Sequence, residues 1–119
     1  MAVRMARTGL TVVVLLLALV AVSGAGGEPR VIELAIRDGR LPEDRRVVRV
    51  QQGDEVMLRW TTDRPVTLHL HGYDIEEKLA PGTPVSMRFA ARATGRFPIE
   101  IHGAGGGERI VGYLEVHPR

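Results

Sequence analysis

The sequence predicts an all-β fold, an antiparallel Greek-key β-sandwich, and three observations support this fold class. Apolar and polar residues alternate in about seven short segments, as they do in strands with one buried face. Turn signals built from Gly, Pro or Asp separate these segments roughly every ten residues. No segment has the apolar period of a packed helix, so the β-α-β alternation of a parallel nucleotide-binding sheet is excluded.

The N-terminal segment, residues 1–25, has the three-part layout of a secretory signal peptide. Arg4 and Arg7 precede an apolar run from Thr11 to Val22, and small residues follow it. The run has about a dozen residues, whereas a bilayer-spanning helix needs roughly 20. We therefore expect export to the periplasm or the exterior of a bacterial cell, with a retained N-terminal anchor as the alternative.

Composition narrows the function classes of the remaining domain, residues 28–119. The chain has 16 Lys and Arg against 14 Asp and Glu, so without Arg4 and Arg7 the balance is 14 against 14. This near-neutral charge and the scattered arginines argue against nucleic-acid binding. The absence of cysteine excludes disulfides, thiolate ligands and cysteine nucleophiles. One domain of about 95 residues must then be held by packing, or by packing plus a metal bound through other side chains.

The strands follow from the alternation in chain order. The predicted core faces are Ile32, Leu34 and Ile36; Val48 and Val50; Val56, Leu58 and Trp60; Val66, Leu68 and Leu70; and Phe97, Ile99 and Ile101. Two more strands are expected in "VSMRFAA" and "GYLEVHP". The segment "YDIEEKLAPGTP" is predicted to be irregular with one helical turn, and "GAGGGER" to be a flexible loop between the last two strands.

Two histidines in "LHLHGYD" are the first candidate metal ligands. His69 and His71 share a face because side chains two apart in a strand project together. Such a pair alone is more often an incidental part of a polar face. In "FPIEIHG", however, Phe97, Ile99 and Ile101 form the predicted core face, so Glu100 and His102 lie together on the opposite face. If the two strands are neighbours, three imidazoles and a carboxylate converge, a donor set suited to copper or zinc.

The order of several segments resembles the cupredoxin family over nearly the whole mature chain. These segments are "VVRVQQGDEVMLRW", "HLHGYDIEEKLAPG", "MRFAARATGRFPIEIHG" and "GYLEV", and they are similar to plastocyanin-like proteins and the copper domain of cytochrome oxidase subunit two. The resemblance implies a cupredoxin-like sandwich that binds copper. The family's first ligand falls on His71 by the oxidase-like spacing and on His69 by the plastocyanin-like spacing.

The chain departs from this family at the blue-copper ligand. The family's cysteine position falls near Ile101, and the chain has no cysteine. A thiolate-based electron-transfer site is therefore excluded, and the chain is more similar to cysteine-free bacterial cupredoxin-like domains, such as those associated with iron uptake. His117, at the tail, is predicted to be solvated, and Met57 and Met87 to fill the core.

The residues and the resemblance together predict an exported protein, not an enzyme, that binds one copper ion. The predicted ligands are His69, His71, His102 and Glu100, with zinc as the alternative metal. Storage, delivery or sensing of the ion is the expected role, with a periplasmic or membrane protein as the expected class of partner. The alternatives are a metal-free β-sandwich interaction module and an accessory domain of a metal-uptake system.

Overall fold

The described part of the chain comprises residues 27–103 and 106–119 of a computed structural model. The predicted signal peptide, residues 1–25, lies outside these ranges. Within them, no helix has the length and apolar character needed to span a bilayer.

The described residues contain eight strands and one 3-10 helix, Glu43–Arg45. The strands are β1 (Arg30–Ile36), β2 (Val47–Gln51), β3 (Glu55–Thr62), β4 (Val66–Leu70), β5 (Ile75–Leu79), β6 (Val85–Ala90), β7 (Gly95–Gly103) and β8 (Gly106–His117). The predicted helical turn after β4 is wrong, since β5 forms there. Its inward positions include the charged Glu77, which interrupts the apolar alternation that would have identified a strand. Part of the predicted glycine-rich loop is strand instead, because β8 already begins at Gly106.

The strands form two sheets that pack as a sandwich, as predicted. The smaller sheet has the order β1-β3-β6, and the larger has the order β2-β8-β7-β4-β5. Two pairings are parallel, β1 with β3 and β2 with β8, so the sheets are mixed rather than purely antiparallel. The chain passes to the larger sheet after β1 and returns after β2. In the smaller sheet β3 then pairs parallel to β1.

The core lies between the two sheets and is lined by the predicted inward faces. Trp60, Leu58 and Val56 of β3 are completely buried, as are Leu68 and Leu70 of β4. Met87 is buried as predicted, but the core prediction for Met57 is wrong, since Met57 lies on the other face of β3 and is only half-buried. The other predicted core residues that are buried are Leu34, Ile36, Val48, Val50, Val66, Ile99 and Ile101, while Ile32 and Phe97 pack against them partly exposed. Each fully buried large apolar side chain contributes about 1.5 to 3 kcal/mol relative to exposure.

The turn after β4 requires glycine at position 72. Gly72 has φ +82°, a backbone conformation that side-chain-bearing residues rarely adopt. The ring of Phe97 lies directly over it, and a Cβ built there would be 2.6 Å from Phe97 Cε1. Tyr73 then anchors the turn, since its ring packs edge-on against Phe97 at 5.1 Å and its hydroxyl donates to the Ala93 carbonyl at 2.8 Å.

Gly72→Ala should destabilise the fold by two separate costs. The left-handed backbone accounts for about 1 to 2 kcal/mol, and displacement of the Phe97 ring adds about 1 to 3 kcal/mol. Gly82→Ala is the matched control, because Gly82 has φ +76° but nothing lies within 4 Å of the position that its Cβ would occupy. Urea unfolding measures both variants, and equal losses in the two would contradict the role of the Phe97 contact.

Candidate metal centre

The pairing of β4 with β7 brings the predicted site residues onto one face. The strands are antiparallel, with His69 opposite Glu100 and Thr67 opposite His102. On the other face Leu68 lies opposite Ile101 in the core. The predicted adjacency of "VTLHLHG" and "FPIEIHG" is therefore confirmed, and the polar row faces outward from the larger sheet.

Glu100 is the centre of this row. Its side chain is only 12% exposed, although it lies on the outer face of the sheet. Its Oε2 accepts a hydrogen bond of 2.7 Å from Nε2 of His71, and its Oε1 lies 3.8 Å from Nε2 of His102. His71 lies just beyond β4, where its backbone N–H donates to the Pro98 carbonyl at 3.0 Å. One carboxylate therefore bridges two of the predicted imidazoles.

The surroundings of Glu100 keep its carboxyl group ionised. Burial by itself raises the pKa of Glu100 by disfavouring the charged form, but the hydrogen bond from His71 and the nearby charges of His71 and His102 outweigh it. The net effect is a pKa below the ordinary glutamate value. An ionised, hydrogen-bonded carboxylate is the form that ligates a metal ion.

Glu108 joins the site, and sequence reasoning missed it. It lies on β8 opposite His102, with its Oε1 3.6 Å from Nδ1 of His102. Glu100, His102 and Glu108 each offer one ligand atom, and these atoms lie within 4.8 Å of one another. Donors that share an ion at about 2.0 to 2.2 Å lie roughly 3 to 4 Å apart. Glu100 approaches Nε2 of His102 and Glu108 approaches Nδ1, so an ion shared by all three requires the Glu108 side chain, which is 71% exposed, to turn toward Nε2.

A bulge in β8 places Glu108 on this face. Ile99 pairs with Gly112 but Glu100 pairs with Ile110, so Val111 is an extra residue on β8. With uninterrupted pairing His102 would lie opposite Arg109, and Glu108 would project from the opposite face. In the sequence, Glu108 is marked only by its position after the glycine-rich segment. That position does not reveal the change of register between β7 and β8.

His69 lies beside His71 rather than at the three-residue group. The two rings are 4.3 Å apart between centroids with an interplanar angle of 46°. Nε2 of His69 is 3.5 Å from Oδ1 of Asp74, and Glu76 lies opposite His69 on β5. His69 therefore lies near two further acidic residues, Asp74 and Glu76. Its ring contacts His71, which in turn contacts Glu100.

The donor set fits a metal held by nitrogen and oxygen. Imidazole and carboxylate suit Cu(II), and they also occur in tetrahedral zinc sites. No thiolate is available, and Met87 is buried in the core. His117 is exposed as predicted, with its Nε2 3.3 Å from Oε1 of Glu115.

No protein-family model and no curated protein matches this sequence. Solved structures do share its backbone. A heme-copper terminal oxidase dimer aligns with a TM-score of 0.61 and 19% identity over 74% of this chain and 65% of that one. The periplasmic domain of subunit II of cytochrome oxidase from Bradyrhizobium japonicum aligns with a TM-score of 0.56 and 12% identity over 75% of this chain and 83% of that domain.

A blue copper oxidase shows the same similarity. The blue copper oxidase from Nitrosomonas europaea aligns with a TM-score of 0.56 and 20% identity over 77% of this chain. The chain spans 40% of that oxidase and 65% of the terminal oxidase chain. At these identities the similarity concerns the backbone alone, and the chain has the cupredoxin-like fold in a form without cysteine.

Proposed function

We propose that this protein is an exported binding protein, not an enzyme, that holds one copper ion on the outer face of the larger sheet. The observation that carries the proposal is Glu100, a largely buried and ionised carboxylate between His71 and His102. A buried charge is retained where it is paired or ligates a metal. The cupredoxin-like fold supports copper as the metal, and zinc is the competing ion to be tested.

Glu100, His102 and Glu108 are the proposed primary ligands. They form the group whose donor atoms lie within 4.8 Å of one another. His71 holds the second oxygen of Glu100 at 2.7 Å and so orients the carboxylate toward His102. His71 and His69 are the further imidazoles available to complete the coordination. An ion bound here is held by nitrogen and oxygen, which suits storage, delivery or sensing rather than blue-copper electron transfer.

Export and a membrane-associated partner are the finer parts of this proposal. The signal-like residues 1–25 support export. The similarity to a periplasmic domain of cytochrome oxidase subunit II supports a periplasmic location and a membrane protein as partner. A role as an accessory domain of a metal-uptake system is compatible with both.

A metal-free interaction module is the second candidate, and one observation favours it. The hydrogen bond from His71 already satisfies Glu100 without any ion. Metal binding and this alternative differ in the response of the melting temperature to copper. An ion that binds only the folded protein raises that temperature, whereas the interaction module would not respond.

The first test is a Cu(II) titration of the metal-free protein by calorimetry. We expect one equivalent to bind, with affinity at least about tenfold weaker in His102→Gln and in Glu100→Gln. His71→Gln, which keeps a hydrogen-bond donor near Glu100, should lose less. His117→Gln is the matched control, because His117 is exposed and contacts Glu115 instead. Absence of stoichiometric copper or zinc, or equal affinity in all four variants, would contradict the proposal.

The second test is the pH dependence of stability without metal. The pKa of Glu100 is lowered in the folded protein, so its ionised form stabilises the fold above the unfolded value of about 4.3 and this stabilisation disappears as the pH falls below it. The advantage of wild type over Glu100→Gln in unfolding free energy should therefore shrink between about pH 5.5 and pH 3.

Urea unfolding at several pH values measures this difference. Glu28→Gln is the control, because it removes a carboxylate from the exposed segment before β1. Its difference from wild type should stay constant. A Glu100→Gln difference that is equally constant would show that the contacts with His71 and His102 do not stabilise the ionised carboxylate.

A further inference from the structure

A cavity adjoins the edge of β8 outside the candidate metal centre. β2 begins at Val47, which pairs with Tyr113, so the β8 segment before Tyr113 has no strand neighbour on that side in the described part of the chain. The segment Gly39–Leu41 passes beside this open edge and leaves a cavity of about 490 Å³. Binding sites for small molecules have volumes of about 300 to 1,000 Å³.

The lining of this cavity is strongly basic. Arg40, Arg46, Arg96 and Arg109 line it, and none of the described residues that line it is acidic. Arg46 contacts the exposed Glu43 at 3.9 Å, and Arg96 contacts the largely buried Glu115 at 3.5 Å. Within residues 27–103 and 106–119, Arg40 and Arg109 have no acidic partner within ion-pair distance. Four arginines therefore line one cavity in a domain whose total charge is near neutral.

Local structure restrains the backbone of Arg40 and the side chains of Arg96 and Arg109. Arg40 ends a tight turn in which Arg37 and Arg40 exchange backbone hydrogen bonds of 2.9 and 3.0 Å. The guanidinium of Arg96 lies 4.0 Å from the ring centroid of Tyr113. The side chain of Arg109 lies against Gly39, with Nη1 3.3 Å from the position of a Cβ there. Groups held in this way lose less conformational freedom when a ligand binds.

The cavity also has an apolar part. Leu41, Val111 and Tyr113 contribute to its lining, together with Ile110. Ile110 is 50% exposed, which is unusual for a large aliphatic side chain beside a charged group. A ligand that covered Ile110 would gain apolar burial in addition to its ionic contacts.

We propose that this arginine cavity binds a small organic polyanion through its carboxylate or phosphate groups. The planar guanidinium group donates two parallel hydrogen bonds to either oxyanion, and such charge-assisted bonds are about twice as strong as neutral ones. The apolar lining favours an anion with a carbon skeleton over a bare inorganic ion. None of the lining residues belongs to the group Glu100, His102 and Glu108, so the inference does not depend on metal binding.

Calorimetric titration of the metal-free protein with citrate and, separately, with glucose 1,6-bisphosphate tests this proposal. Low ionic strength is used because salt screens exposed charges. We expect saturable binding of at least one anion with one site per chain. Binding of citrate alone assigns a carboxylate ligand, and binding of the bisphosphate alone assigns a phosphate ligand. Arg40→Gln combined with Arg109→Gln should weaken binding at least about tenfold.

Arg88→Gln is the matched control for this pair. Arg88 is also an exposed arginine, but it lies on β6 in the smaller sheet and contacts Glu55 at 3.7 Å. Its variant should bind the anion with the affinity of wild type, and circular dichroism should show all variants folded. Absence of saturable binding of both anions, or an equal loss in Arg88→Gln, would overturn the proposal.

Discussion

The register between β4 and β7 is the constraint on which the candidate metal centre depends. Leu68 and Ile101 lie opposite each other in the core, and a slip of one residue would turn these apolar side chains outward. The burial of the inner face therefore sets the positions of the outer face. Through the same register, His69 lies opposite Glu100, and His102 lies two residues further along β7. The chemistry of the outer face is thus positioned by packing between the two sheets.

Irregularities next to this strand pair position two further residues of the candidate site, His71 and Glu108. Gly72 lies in the turn after β4 with φ +82° under the Phe97 ring, next to His71, whose Nε2 contacts Glu100. On the other side, the extra residue Val111 turns Glu108 to the face of His102. Bulges of this kind commonly redirect a side chain at a functional site. Two departures from regular pairing therefore contribute one imidazole and one carboxylate to the same row.

Much of this arrangement could be predicted from alternation alone. The two-residue period in "FPIEIHG" assigns Glu100 and His102 to one face, and the structure agrees. Glu108 could not be predicted, because one extra residue in β8 reverses which face it occupies and leaves no mark in the sequence. The arginine cavity was missed for a different reason. Its four arginines come from two distant parts of the sequence, and the short β2 and the turn at Gly39 bring them together.

The central claim is that Glu100 and His102 share one copper ion on the outer face of the larger sheet. Anomalous diffraction at the copper edge from crystals of the copper-loaded protein tests it most directly. The account predicts one anomalous peak about 2.0 to 2.2 Å from a nitrogen of His102 and an oxygen of Glu100, with Glu108 on the same ion. A copper-loaded crystal with no peak there, or with its copper at His117, would contradict the account.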